Sequence, residues 1–148
     1  MNNELRLLLV TCDDPSADSS SNEQDSRPFA KIADLPLLEP STFQEAKEMA
    51  KWAFSLSEQI RNVVLMSNQY IGPKSPEVLI ITCGTGWLYS QEALEMMGVE
   101  GRVGILKIGT TWPLPTRLIV ENLARTDKIL FVEEVDCFLE GNVKEVLG

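Results

Sequence analysis

The sequence predicts an α/β fold in which parallel β-sheet is covered by helices on both faces. Two patterns carry that prediction. Short aliphatic and β-branched runs recur along the chain and are continuously apolar, as strands buried on both faces are. Between them lie segments whose apolar residues recur at spacings of three and four, so strand and helix patterns alternate. The chain has 148 residues, 44% of them apolar, enough for a packed core.

The elements follow in order. Leu5–Val10 reads as a buried strand running into the polar loop Thr-Cys-Asp-Asp-Pro. Pro15 to Asp25 is polar and serine-rich, a linker by composition, yet it lacks the glycine of a flexible segment. Arg27–Ala33 predicts a short helix, and Leu35–Glu39 a short strand closed by Pro40. Ser41, with Gln44 three residues on, reads as the capping box of a longer helix. Phe43, Ala46, Met49, Ala50, Ala53, Leu56 and Ile60 form its apolar face. Val63–Met66 predicts another strand. Gly72-Pro73-Lys74-Ser75-Pro76 is the best boundary, dividing the chain into residues 1–72, a joint at 73–76, and residues 77–148.

After the joint the pattern restarts. Val78–Thr82 predicts a strand, Gly84-Thr85-Gly86 a turn, and Leu88–Met97 a helix ended by Gly98. Val103–Ile108 is the next strand. Pro113 and Pro115 open a helix reaching about Ala124, proline being tolerated in a first turn. Lys128–Glu133 is a further strand, and Gly141–Leu147 begins a last helix.

Composition excludes several functions. With 22 acidic and 13 basic residues the net charge is −9, against nucleic-acid or anionic-membrane partners, which need clustered basic surface. The absence of histidine removes the Ser-His-Asp and Cys-His arrangements and most catalytic zinc sites. Cys12, Cys83 and Cys137 are sparse and odd in number, neither a disulfide framework nor a CxxC metal motif, and no metal ligands are assigned. Reduced thiols and a cytoplasmic location are the expectation. Leu5–Val10 is too short for a signal core or a membrane span.

Ligands of open α/β sheets bind beyond the carboxyl ends of strands, so three loops qualify. Thr11 to Arg27 gathers acids, amides, hydroxyls and one arginine, with Arg27 available to pair with a carboxylate. Cys83-Gly84-Thr85-Gly86 lacks the third glycine of a dinucleotide fingerprint, that position being Tyr89, and reads as a tight turn whose helix start could accept an anion. Glu133-Glu134-Val135-Asp136 sets three carboxylates after a strand, most simply a solvated strand end. Trp52, Trp87 and Trp112 lie too far apart for a base-stacking stripe and read as packing residues.

Several segments together are distinctive: Asp13-Asp14-Pro15, Ser19-Ser20-Ser21-Asn22-Glu23-Gln24-Asp25-Ser26-Arg27, Leu38-Glu39-Pro40-Ser41 and Gln44-Glu45-Ala46-Lys47. After the joint come Lys107-Ile108-Gly109, Thr111-Trp112-Pro113-Leu114-Pro115 and Asp127-Lys128-Ile129-Leu130-Phe131-Val132-Glu133-Glu134. In this order they resemble the large, thiamine-diphosphate-dependent subunit of the indolepyruvate oxidoreductases, within the 2-oxoacid:ferredoxin oxidoreductase family. The resemblance covers nearly the whole chain. It implies a partial pyrimidine-binding α/β domain followed by a partial transketolase C-terminal-like domain. It implies oxidative decarboxylation of an aryl-pyruvate to an acyl-CoA, with reduction of ferredoxin. By the same resemblance Asp14, Ser19, Ser20, Asn22, Glu23, Gln24 and Arg27 would lie against cofactor and substrate, with no catalytic step assigned to any of them.

The chain departs from the family pattern at Asp18, where the loop usually carries histidine. The family's activating glutamate, diphosphate–magnesium domain and iron–sulfur cysteines are also missing. Thiamine diphosphate and magnesium would therefore bind only in complex with the missing domains, and not to this chain alone. Two readings stay open: a component of such an oxidoreductase, inactive alone and partnered by its other subunits, or a non-catalytic assembly module descended from one. A homo-oligomer is compatible with both.

Overall fold

The computed structural model describes residues 8–11, 25–59, 68–134 and 136–148. In chain order the elements are α1 (Arg27–Ile32), β1 (Leu37–Leu38), α2 (Phe43–Gln59), β2 (Gln69–Ile71), β3 (Val78–Thr82), α3 (Gly86–Met97), β4 (Val103–Lys107), β5 (Thr110–Trp112), α4 (Thr116–Leu123), β6 (Ile129–Val132) and α5 (Phe138–Leu147). A four-stranded sheet runs β2-β4-β3-β6, and β1 and β5 form a separate two-stranded ribbon. The three continuously apolar runs β3, β4 and β6 are its parallel strands, while β2 joins antiparallel at the edge of β4.

Alternation along these strands feeds two cores. Leu79, Ile81 and Leu106 point to one face, where they meet Ile119 of α4 and Leu139 and Val143 of α5. Ile80 and Ile105 point to the other, against Trp87 and Leu94 of α3. Each fully buried aliphatic side chain contributes roughly 1.5–3 kcal/mol, so the sheet is held from both sides. This is the doubly covered α/β arrangement that the sequence predicts.

The adjacent strands β3 and β6 send their chains to opposite faces, to α3 and α5 respectively. A crevice opens where such loops diverge. Gly86 lets α3 approach that point: a Cβ there would lie 2.5 Å from Thr82 Oγ1 and 2.9 Å from the Val132 carbonyl.

Several expectations shift. Within Leu5–Val10 only residues 8–10 are described, and they carry no regular structure; Val63–Met66 lies outside the described residues. The cap of α2 is Thr42, not Ser41: the Glu45 amide donates to Thr42 Oγ1 at 3.1 Å, and the Glu45 carboxylate accepts the Ser41 amide at 2.8 Å. A glutamate makes a stronger acceptor at a helix N-terminus than Gln44 does, so the box moves one residue on. Met49, Ala53 and Leu56 form the buried stripe of α2, whereas Phe43 is exposed. Pro115 is the N-cap of α4 rather than part of its first turn, and α5 starts at Phe138, ahead of Gly141. The strand before the 73–76 joint, β2, shares a sheet with those after it, and β1 pairs with β5, so hydrogen bonding crosses the joint.

Polar links also attach the N-terminal elements. Lys107, at the end of β4, donates to both oxygens of Glu45 at 2.6 and 2.7 Å in a buried pair. Lys31 of α1 reaches Asn142 Oδ1 at 2.6 Å and Glu145 at 2.8 Å on α5.

Two stability measurements follow. Lys107→Met, which takes the cation away from the part-buried Glu45 carboxylate, should cost about 3 kcal/mol in denaturant unfolding. Adding Glu45→Met should recover most of that, leaving a deficit of about 1 kcal/mol for the lost helix-capping bond. Gly86→Ala should cost about 1–3 kcal/mol, because the strand atoms it would strike include backbone.

Candidate functional site

The three loops singled out in the sequence converge at the crevice between β3 and β6. They line, with β1, an open cleft of about 240 Å³. Gly84 and Thr85 come from the end of β3, Glu134 from the end of β6, and Asp25 and Arg27 from the start of α1. Leu37, Leu38, Glu39 and Pro40 supply the opposite wall.

Arg27 is the structural centre. Its Nε donates to Asp25 Oδ1 at 2.9 Å and its Nη2 to Asp25 Oδ2 at 2.7 Å, and the Arg27 amide adds a third bond to Oδ1 at 3.0 Å. Nη2 also donates to the carbonyls of Glu134 and, at 3.3 Å, Asp136, while Nη1 lies 3.6 Å from Glu133 Oε2. The guanidinium stands 5.6 Å from the centre of the Phe138 ring. The sequence reading leaves Arg27 available for a carboxylate; here that carboxylate is the chain's own Asp25. Burial opposes the charge of both partners, but their mutual hydrogen bonds and attraction prevail, holding Asp25 below its usual range and Arg27 above.

Glu133 does two jobs. Its carboxylate accepts the amides of Leu139 at 2.6 Å and Glu140 at 3.0 Å, capping α5, while it faces Arg27. That cap comes from a strand end rather than from the residue preceding the helix, which is why α5 begins earlier than its local sequence suggests.

Glu39 is the residue that the loop-by-loop reading passes over. One of its carboxylate oxygens, Oε2, is buried with no hydrogen-bond partner. Burial raises its pKa against the opposing pull of Thr111 and Arg27. Burial, and then the charge of Glu39, push the Cys83 thiol up as well. Cys83 therefore stays protonated and is no nucleophile. A Glu-Pro pair closing a predicted strand was the available sequence signal.

Of the residues assigned to the cofactor and substrate loop, Asp14, Ser19, Ser20, Asn22, Glu23 and Gln24 lie outside the described residues, as does Asp18. The residues flanking that segment, Thr11 and Asp25, both line the cleft, and Thr11 Oγ1 lies 3.0 Å from Ser26 Oγ. Among the described residues one group has metal-ligand spacing, Glu133, Cys137 and Glu140. Glu133 is already used as a helix cap and Glu140 pairs with Lys144 at 2.6 Å.

The raised pKa of Glu39 has a definite sign in stability. Above its ordinary value of 4.5 the unfolded chain ionises while the buried carboxyl resists, so the folded state loses ground. Glu39→Gln should raise the melting temperature by a few degrees at neutral pH, and the gain should vanish below about pH 4. Asp25 has the opposite sign: its contribution is present above 3.8 and is lost as the pH falls through its lowered value. Thermal melts of Glu39→Gln and Asp25→Asn across pH check the two signs.

Residues 68–147 match the family model described as the indolepyruvate oxidoreductase domain. The indolepyruvate oxidoreductase subunit IorA of Pyrococcus horikoshii is 29% identical over 206 residues, covering 93% of this chain and 32% of that protein. IorA of Archaeoglobus fulgidus is 30% identical over 201 residues, with the same two shares of 93% and 32%. This chain thus spans about a third of the length of these relatives. The 206-residue match exceeds the 148 residues present, so the relative carries an internal stretch that this chain lacks. Among solved structures, a split-gene transketolase, an inactive beta4 tetramer, superposes with TM-score 0.63 at 18% identity, over 76% of this chain and 43% of that one. The 2-oxoglutarate:ferredoxin oxidoreductase of Magnetococcus marinus superposes with TM-score 0.51 at 19% identity, over 72% and 19%. These two likenesses concern the fold. With more than half of its length matched by the family model, the chain belongs to the indolepyruvate oxidoreductase domain family.

Proposed function

We propose that this chain is one component of an aryl-pyruvate:ferredoxin oxidoreductase, inactive alone, which works with chains carrying the rest of the enzyme. The observation behind this reading is the match of 93% of the chain to only 32% of proteins named as indolepyruvate oxidoreductase subunits. The overall reaction would be oxidative decarboxylation of the 2-oxoacid to an acyl-CoA, with ferredoxin as electron acceptor. The segment from Asp14 to Arg27, with Ser19, Ser20, Asn22, Glu23 and Gln24, would face cofactor and substrate, held at its C-terminal end by the Arg27–Asp25 pair.

Thiamine diphosphate would supply the carbanion chemistry in the assembled enzyme. The described residues do not fit its diphosphate and magnesium: the one ligand-like triplet is engaged in capping and pairing, and the cation nearest the cleft, Arg27, is neutralised by Asp25. No catalytic step is therefore assigned to this chain, and the diphosphate site would belong to a partner. Among the described residues Cys83 and Cys137 are free thiols, which accords with a cytoplasmic setting.

A second reading, a non-catalytic assembly module, is favoured by one observation. Arg27 beside the cleft is already paired with Asp25 and Glu133, and burial pushes the neighbouring Cys83 thiol up, so neither is a free cation or a nucleophile. The same complex separates the readings. Affinity purification of the chain from its native extract should recover partners that bind thiamine diphosphate and carry iron–sulfur clusters. Recovery of the lone chain or a simple homodimer, with no cofactor bound after candidate partners are added, would overturn the first reading. In the assembled complex Asp18→His should raise turnover about tenfold or more if the chain contributes to the active site. Full assembly with unchanged turnover would mark it as scaffold.

A further inference from the structure

We propose that the outer side of α1, with the residues just before Thr11, is a docking face for one occupant: the open edge and apolar face of a parallel β-sheet in a partner chain. The proposal rests on the component reading above and adds where the partner sits. Its first support is that α1 is turned inside out. A surface helix of a globular domain turns its apolar side to the core and its charged side to water. In α1 the two cations, Arg27 and Lys31, share the inward side. Arg27 is buried in its pairing with Asp25 and Glu133. Lys31 reaches Asn142 and Glu145 on α5 and stands 5.2 Å from the centre of the Trp112 ring. Phe29 and Ile32, on the opposite side, are 61% and 81% exposed, and Leu35 just beyond is 48% exposed.

A second feature lies beside it. Leu5–Val10 is continuously apolar, the pattern of a strand covered on both faces. In its described part, residues 8–10, Leu9 and Val10 are 66% and 79% exposed and pair with no strand. The two apolar segments adjoin, because Thr11 Oγ1 lies 3.0 Å from the hydroxyl of Ser26, the N-cap of α1. A strand and the helix that follows it in an α/β fold lie on one sheet. The sheet of this chain is not that sheet: α1 meets its β6–α5 corner through charge, with Phe29 and Ile32 turned away.

The lengths of the relatives indicate what supplies the missing surface. Residues before 68 lie outside the matched family domain, yet 93% of the chain aligns to only 32% of the Pyrococcus horikoshii relative. A partner carrying the remaining length is therefore the occupant. A second copy brings none of that length and repeats the net charge of −9, which opposes pairing.

Hydrogen exchange and substitutions in the full chain test the face. In the complex recovered from the native extract, the amides of Leu9 and Val10 should exchange about a hundredfold more slowly than in the isolated chain. Phe29→Ser combined with Ile32→Ser, both at exposed positions, should weaken the partner's hold about tenfold or more in a sedimentation titration. The isolated double variant should melt as the parent chain does, and if it melts lower the exchange measurement decides. Met96→Ser, at an exposed position on α3, should change neither binding nor exchange. A partner that holds the double variant at full affinity, or leaves Leu9 and Val10 exchanging as before, overturns the face and leaves the component reading standing. A partner lost with the double variant but lacking thiamine diphosphate and iron–sulfur clusters overturns the component reading and leaves the face standing. Recovery of the lone chain or a homodimer overturns both. Slow exchange of Leu9 and Val10 already in the isolated chain overturns the face alone, because the strand would then pair within this chain.

Discussion

A buried guanidinium held between two buried carboxylates organises this molecule. The side chains of Arg27 and Glu133 are 6% and 7% exposed, and that of Asp25 is 7% exposed. A charge so placed is tolerated only when it is paired and hydrogen-bonded. Meeting that demand fixes three things at once. Asp25 sets the direction in which the chain enters α1, Glu133 sets the end of β6 and the first turn of α5, and the carbonyls of Glu134 and Asp136 close the loop between them. The cleft is the space left beside that knot.

The same logic governs how the N-terminal elements attach to the sheet. The family match begins at residue 68, and the elements before it reach the sheet unit through several polar links. Arg27 and Lys31 bind the β6–α5 corner, Glu45 binds Lys107 at the end of β4, and the Glu39 amide donates to the Gly109 carbonyl at 3.3 Å. Links of this kind depend on geometry more than on area. They specify how the two parts meet, as befits a chain in which the cleft is shared between elements on both sides of residue 68.

What the sequence made legible follows the physics of each signal. The strands β3, β4 and β6 and the helix α3 were readable because doubly buried strands are continuously apolar and Gly98, in the left-handed conformation, ends α3 cleanly. The strand β1 was read within Leu35–Glu39, but β2 and β5 were not, since three residues such as Gln69–Ile71 are too few to show a period, and the pairings β1–β5 and β2–β4 are decided by distant chain. The start of α5 was hidden because its cap, Glu133, comes from a strand end. At the site, the three loops were identifiable from the rule that ligands meet sheets at strand carboxyl ends, but their convergence depends on which face each helix takes. Arg27 stood out as a lone cation in a polar segment; only its surroundings reveal that Asp25 and Glu133 already claim it. Glu39 was hidden because a single carboxylate before a proline looks like an ordinary strand end.

The central claim is that Arg27 binds α1 and β6 into one unit around the cleft. A double-mutant cycle between Arg27→Met and Glu133→Gln, read by denaturant unfolding, tests it most directly. The account predicts strong non-additivity, with a coupling of about 1–2 kcal/mol between the two positions. Additivity within about 0.5 kcal/mol would contradict it, because the two residues would then act independently and the knot would not exist.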